Sequence, residues 1–512
     1  MKNSIGREIP ESIAGYNELH SYSSPFAKEA LGRKAAPLLR QVKPGDSKMV
    51  ESIEELIKRS GLKDGMTISF HHHFRNGDYI LNMVIDTVAK LGIRDITIVP
   101  SSLSGIHDPL IEHIKNGVIT EIHTSGLRGE LADAISNGLM EKPIVIRSHG
   151  GRARAIEAGE IKIDVAFLGV PSSDEYGNAS GKGENTMCGA LGYAMVDEKY
   201  ADTVVVITDD LVPYPNMPAS IHQTNVDYVV KVDSIGDPNG ITSGATRFTK
   251  NPKELLIAEY ASKVIINSEY FKDGFSFQTG SGGSSLAVTR FLKNEMKSRN
   301  YRAKFALGGI TKPMVEMHEE GLIENLFDVQ SFDLVAAESI SKNLRHYEID
   351  ALQYANPHNK GCIANKLDIV ILSALEIDKD FNVNVITGSD GVIRGASGGH
   401  SDTAASSKLS VIVAPLVRGR IPTVVDSVNT VITPGETVDV LVTDRGIAVN
   451  PRRSDIIESL KDKELPIVPI EELKEMAKKI VGKPKSIEYT DKVVAVVEYR
   501  DGSIIDVINQ VK

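Results

Sequence analysis

Two rhythms of apolar residues alternate along this chain. The run MTISF (66–70) is short, continuous and apolar, as a strand covered on both faces should be. YILNMVIDTVAKLG follows with apolar positions three and four apart, which predicts a helix ending at Gly92. DITIVP then predicts a strand, and a short helix begins at Asp108. ITEIHT, PIVIRS, DVAFLGV, TVVVIT and YVVKVD continue the strands, with helical GELADAISNG and ARAIEAG between them. Strands alternating with helices require crossover connections, and so a mostly parallel sheet with both faces covered.

The pattern restarts after Asp237-Pro238-Asn239-Gly240, a cluster of turn formers. FSFQ, AKFALG, LFDVQ, LDIVILSALEI, NVNVIT, LSVIVAP and VDVLVT predict strands, and 284–299, 312–320 and 333–345 predict helices. A helix at 470–481 and a hairpin turning at Asp501-Gly502 end the chain. The residues before Lys43-Pro44-Gly45 have weak periodicity and read as an arm. The expectation is an α/β protein of two tandem open, mostly parallel sheets. An arm spans 1–45, a first domain 46–236, and a second domain 237–512 that includes the terminal helix and hairpin. Ligands of open sheets sit beyond the carboxyl ends of the strands, so the loops there carry the chemistry.

Composition narrows the function classes. A net charge of −10 and the absence of Trp argue against a general nucleic-acid binder. No apolar run approaches the ~20 residues of a membrane span. MKNSIGREIPESIAGYNELH has no apolar signal core, and Cys188 and Cys362 offer no disulfide framework, so a cytoplasmic location is expected. Cys188 is expected to be a small buried hydrophobe rather than a nucleophile.

Three loops stand out. Gln278-Thr279-Gly280-Ser281-Gly282-Gly283-Ser284-Ser285 joins a strand to a helix, and its glycines let backbone amides approach a phosphate or an oxyanion. It lacks the Gly-Lys-Ser/Thr of a P-loop. A second loop runs from Thr387 through Arg394 and Gly398-Gly399-His400-Ser401-Asp402, where glycines lie beside three kinds of ionisable group. That mixture predicts binding rather than spacing. The third is His71-His72-His73-Phe74-Arg75-Asn76-Gly77-Asp78. An extended run puts His71 and His73 on one face and His72 on the other. Adjacent residues seldom chelate one ion and no carboxylate stands at a ligand offset, so no metal is expected. Hydrogen bonding to an anionic substrate from His72, His73, Arg75 and Asn76 fits better. The segment 164–180, crowded with Ser, Asp and Asn, reads as a turn-rich loop.

In order, GEIKIDVAFLGVPSSDEYGNAS, FQTGSGGSSLAV, SGGHSDTAASSKLSVIVAP and VDVLVTDRGIAVN resemble the coenzyme A transferase superfamily, from about residue 46 to 455. HHHFRNGD after the first strand makes the likeness strongest to the citrate lyase α-subunit family. The resemblance implies CoA-transferase-type sheets and transfer of an acyl-carrier thioester from acetate to citrate, giving citryl carrier and acetate. It implies partners: a β lyase subunit and a γ acyl-carrier subunit, in an oligomeric assembly. No cofactor is then bound to this chain. It acts on the carrier's CoA-like phosphoribosyl-dephospho-CoA group.

One departure matters. Covalent members of the superfamily carry a nucleophilic Glu where FALGGITKPMVEMHEEGLIENL places Gly308. Loss of that side chain implies open space, no glutamyl intermediate, and direct attack by the incoming acid. The amides of Gly282, Gly283, Gly398 and Gly399 are the candidate oxyanion donors. Gln278, Gly280, Gly308, Arg394, His400 and Asp402 join the first-strand loop as substrate-binding candidates. Among Lys408, Arg418, Arg420, Arg445, Arg452 and Arg453, some are expected to meet the carrier's phosphates or its acidic surface. The rival readings are a transferase or hydrolase acting on free acetyl-CoA, a sugar-phosphate sensor, and an inactive module that docks the carrier.

Overall fold

The computed structural model describes residues 1–16, 19–26, 32–242, 249–280, 282–482 and 485–512. Two large sheets organise the chain. Strands of the first are β1 (Met49–Val50), β2 (Thr67–Phe70), β3 (Ile96–Pro100), β4 (Ile119–Thr124), β5 (Ile144–Ile146), β6 (Val165–Val170), β7 (Thr203–Thr208) and β8 (Tyr228–Lys231). Those of the second are β9 (Ser276–Thr279), β10 (Ala303–Ile310), β11 (Ile323–Ser331), β12 (His346–Glu348), β13 (Ile369–Ser373), β14 (Leu409–Val413), β15 (Val440–Val442) and β16 (Ile447–Val449). A terminal hairpin supplies β17 (Tyr489–Glu498) and β18 (Ile504–Val511).

The first sheet runs β1-β8-β7-β6-β2-β3-β4-β5-β17-β18 and the second β12-β11-β10-β9-β13-β14-β15-β16. Pairing is parallel except for β17 with β18 and β15 with β16. Every residue of β6, β7 and β14 is buried, which is why these strands are apolar throughout instead of alternating. Strand order reverses between β2 and β6 in one sheet and between β9 and β13 in the other. Such reversals open a crevice at the carboxyl ends of the flanking strands.

The hairpin departs from the chain-order expectation. Expected with the second sheet, it extends the first, with Ala495, Val496 and Val497 paired to Ile144, Val145 and Ile146. A bidentate ion pair fixes it: both outer oxygens of Glu498 lie 2.6 Å from Arg147 nitrogens, buried just past β5. The arm is not loose along its first part either. Ile9 and Ile13 pack on Val496 and Ile504 of the hairpin, and Tyr22 meets Tyr499 edge-on with centroids 5.0 Å apart. LDIVILSALEI also divides, into β13 and a short strand Glu376–Asp378, breaking at Ala374-Leu375.

The halves share one apolar core, in which Phe305, Leu307 and Val329 of the second sheet join the residues of the first. Polar bonds cross the same boundary: Glu348 accepts from Leu191 N and from Ser220 Oγ, each at 2.6 Å. No helix among the described residues is long and apolar enough to cross a membrane.

Candidate active site

The crevices of the two sheets face each other across one cleft of about 940 Å³. Its walls are the loops after β2, β3, β4 and β5 on one side and those after β9, β11 and β13 on the other. Arg75, Arg128, Arg394 and Arg418 reach it, and no Asp or Glu is among the described residues that line it. Four arginines gathered in a recessed site attract a polyanion and strengthen one another's pull.

The loop after β2 divides as the alternation predicts. The rings of His71 and His73 pack together in the interior, tilted by 44° with centroids 4.1 Å apart, and His72 faces the cleft with Nδ1 2.5 Å from Ser101 Oγ. His73 is therefore not a substrate contact: it is 1 % exposed and packs on Tyr193. None of the four ring nitrogens of His71 and His73 has a hydrogen-bond partner. Burial lowers the pKa of both rings, that of His71 to about 4. Arg75 adopts φ 52° and lays its guanidinium 4.0 Å over the Phe332 ring. Burial lowers it to about 10, which leaves it charged at neutral pH. Asn76 lines the mouth while its Oδ1 accepts from Ile106 N.

The glycine loop after β9 splits between two spaces. Gln278 and Gly280 line the cleft, but the Gly280 amide donates to Ile371 O. Gly282 and Gly283 line a smaller neighbouring cavity of about 430 Å³, which meets the cleft at Ser373 and Arg418. Their amides thus lie apart from the two other candidate oxyanion glycines, Gly398 and Gly399, which do line the cleft. Ser281 lies outside the described residues.

Gly308 does not open space. It has φ 104°, and a Cβ there would lie 2.7 Å from the Gln278 amide carbon. The Gln278 side chain occupies the position and donates from Nε2 to Tyr354 Oη at 2.9 Å. The cleft edge here is made by Gly309, on the other side of a register shift in β10.

In the loop before β14, Arg394 lines the cleft and pairs with Asp390 at 2.6 Å and Asp133 at 3.3 Å. His400 reaches the wall with both nitrogens engaged, Nδ1 with Thr433 Oγ1 and Nε2 with Ser373 O, so it braces the wall rather than serving a ligand. Asp402 faces away from the cleft. It is fully buried and accepts from Ser148 Oγ at 2.7 Å and from Gly150 N at 2.9 Å. Burial raises its pKa to about 6, against the opposing pull of Arg500 and these two bonds.

This loop is stitched to the other half. Ser397 N donates to Ser125 O, Leu127 N to Gly395 O, and His149 N to Gly398 O. The approach is so close that a Cβ on Gly126 would lie 2.2 Å from Ala396 Cα, and only glycine fits. Gly126→Ala is therefore expected to lower stability by about 1–3 kcal/mol and to reduce activity by spreading the cleft floor. Thermal unfolding and a turnover assay check it; an unchanged melting temperature counts against the contact.

Sequence reasoning missed Arg128, His149, Tyr193, Gln330 and Tyr354, all of which line the cleft. PIVIRS followed by His149 at a helix start was the available signal for one of them. Of the six cations expected to meet the carrier, Arg418 alone lines the cleft, and it also ties the loop after β13 by donating to Leu375 O and Ala374 O. Lys408 pairs with Asp368, Arg445 with Asp444, Arg452 with Glu436, and Arg453 with Asp439 and Asp455. Cys188 is buried. Among the described residues no group of three His, Cys, Asp or Glu could hold a metal ion.

Burial of neutral imidazoles gives a pH prediction. Burial lowers His71 and His400 from 6.5 to about 4, and His149 to about 3. Below pH 6.5 the unfolded chain takes up these protons while the folded chain does not, so stability is lost as pH falls. At pH 5 each contributes a loss of about 2 kcal/mol. Asp402 acts oppositely by about 1 kcal/mol, because the folded form binds its proton first. A steep fall in melting temperature between pH 7 and 5 is expected, and a flat profile would contradict it.

A family profile for the citrate lyase α subunit matches residues 46–511. The citrate lyase α chain of Klebsiella pneumoniae is 60% identical over 505 residues, covering 98% of this chain and 99% of that one. A crystal structure from Streptococcus mutans, described as a citrate lyase α subunit in complex with citrate, has 60% identity and a TM-score of 0.97, covering 100% of each chain. A Pseudomonas malonate decarboxylase hetero-tetramer in complex with malonate matches at 15% identity and a TM-score of 0.65, over 85% of this chain and 86% of that one, a likeness of fold.

Proposed function

The chain belongs to the citrate lyase α-subunit family, and from that premise we propose that its cleft exchanges the acyl group of a carrier thioester by direct attack of citrate. As a family member it is the transferase that passes the carrier from acetate to citrate. The mechanistic reading is supported by the cleft's lining, which has no carboxylate among the described residues, and by the Gln278 amide that fills the space beside Gly308.

The exchange balances without an enzyme acid. A citrate carboxylate oxygen adds to the acetyl thioester carbon, and the C–S bond breaks with the electron pair leaving on sulfur. A citrate–acetate anhydride results. The thiolate then adds to the citryl carbonyl, the bond to the bridging oxygen breaks, and acetate departs. Holding citrate and thioester together supplies up to about 7–11 kcal/mol of the barrier. Arg75, Arg128 and Arg394 are the proposed grips for citrate carboxylates, with His72, Asn76 and Gln278 as neutral partners. The amides of Gly398 and Gly399, which line the cleft, are the proposed oxyanion donors. Arg418, between the two cavities, is the proposed contact for the CoA-like arm of the carrier. β and γ partner subunits, an oligomeric assembly and a cytoplasmic location complete the proposal.

Oxygen labelling tests the route. In a single turnover with carboxylate-labelled citrate and acetylated carrier, one labelled oxygen should appear in acetate and none in the protein. Label in a Glu side chain, or a hydroxylamine-sensitive acyl polypeptide, would establish a covalent route instead.

A further inference from the structure

His149 begins the helix His149–Glu157, directly beyond β5. Its ring sits among Tyr193, 4.7 Å away between centroids, and His72, 5.8 Å away. Nδ1 is buried with no hydrogen-bond partner. Nε2 faces the glycine loop, 3.7 Å from where a Cβ on Gly398 would lie. That loop carries Gly399, whose Cβ position is 2.3 Å from the Tyr354 hydroxyl, and Tyr354 holds the Gln278 amide that fills the space beside Gly308. His149 Nε2, the two glycines, Tyr354 and Gln278 therefore form one continuous edge of the cleft, with Gly308 behind the Gln278 amide.

The ring's charge state follows from its surroundings. Burial is the largest influence, and Arg152 and Arg75 add to it, so the imidazole stays neutral through the neutral range. The positive end of its helix acts in the same direction. Other groups near it are His72 and Tyr193, neither anionic at neutral pH, with burial lowering His72 and raising Tyr193. Asp402 lies behind, spent on Ser148 Oγ and Gly150 N. A neutral imidazole has one N–H and one lone pair. The positive helix end favours the lone pair on Nδ1, the nitrogen nearer the backbone, which leaves the proton on Nε2. A neutral imidazole at a helix start is a suitable electrophile: it donates to a developing oxyanion without giving up its proton.

We propose that His149 is a catalytic residue that donates from Nε2 to the carbonyl oxygen of the reacting thioester, and that Asp402 is a positioning residue that sets the helix start from the opposite half. Asp402 holds two successive points of that start: the Ser148 hydroxyl, which in turn accepts from Gly151 N at 3.0 Å, and the Gly150 amide. No proton is transferred. The hydrogen bond strengthens as the tetrahedral centre forms and relaxes when the C–S bond breaks. This role rests on the reaction proposed above.

The test compares His149→Ala, Asp402→Asn and the double variant with the full chain in exchange between acetylated carrier and citrate. His149→Ala should lower kcat about 100–1,000-fold with KM for citrate nearly unchanged, as for loss of one oxyanion donor. Asp402→Asn should lower kcat about 10-fold or more alone, yet add little in the His149→Ala background, because it acts through that ring. A rise in KM with kcat intact would make His149 a binding group and overturn the catalytic role. Additive losses would overturn the positioning role. Nitrogen NMR of the His149 ring in the unaltered chain needs no variant. A single proton on Nε2 between about pH 5 and 8 supports the proposal, and titration in that range overturns it. An unaltered chain that makes no citryl thioester overturns the reaction and the role together, whereas an active chain with fully active His149→Ala overturns only the role.

Discussion

Gly308→Glu is expected to cut citryl-thioester formation by about 100-fold or more and to leave no acyl group on the protein. Restoring the carboxylate of covalent relatives would seem the simplest way to convert this cleft to their chemistry. The structure opposes it at three levels. A side chain at φ 104° is strained, at a cost of about 1–3 kcal/mol. Its Cβ would collide with the Gln278 amide, which is itself held by Tyr354 in a packed wall. A new negative charge would also enter a cleft lined by none, against an incoming polyanion. Gly308→Ala separates these effects: it should share the loss of stability but not the full rise in KM for citrate. Melting temperature and steady-state kinetics decide the matter. A Glu variant with unchanged stability and a trapped acyl polypeptide would show that the space is free after all.

The second large effect belongs to Arg75. Arg75→Met should raise KM for citrate roughly 100-fold, equivalent to about 3 kcal/mol, with a smaller change in kcat. Its guanidinium is partly withdrawn from solvent and oriented by the Phe332 face, so its charge is poorly screened where a carboxylate would meet it. Arg75→Lys should recover little, because an ammonium neither stacks as a plane nor offers two parallel donors. Arg128 is exposed at the mouth, and Arg128→Met should cost about 10-fold or less. Equal effects at the two positions would mean that depth in the cleft is irrelevant to recognition.

Much of the fold was legible because doubly covered strands must be apolar throughout and crossover helices must carry a stripe. VAFLGV and TVVVIT are wholly buried strands, and the helices at 284–299 and 470–481 fall within a residue of their expected limits. What local pattern could not show was which sheet the hairpin joins, since VVAVVEY reads the same at either edge. Its partner Arg147 lies 351 residues away. The arm was misjudged for a related reason. Ile9 and Ile13 are isolated apolar positions, and only the distant hairpin gives them a surface.

The site was half legible. Glycine loops and clustered ionisable residues mark strand ends, and of the residues they singled out His72, Arg75, Asn76, Gln278, Gly280, Arg394, Gly398 and Gly399 line the cleft. His73 and Asp402 belong to the same motifs but face inward, because alternation and helix phase turn successive side chains away from each other, and His400 reaches the wall with both nitrogens engaged. His149, Tyr193 and Tyr354 come from helix starts and short connectors with no motif around them. Their importance arises only when the two sheets meet.

The union of β5 with β17 also dictates an order of events at the ribosome. Arg147 is made 351 residues before Glu498, and at cellular synthesis rates that interval lasts roughly 20–70 s. Throughout it, the nascent first half has an unpaired strand edge, and Arg147 waits beside it without its bidentate partner. Such an edge is a template for the wrong neighbour. That edge is covered only when the chain's own final strands emerge to pair with it.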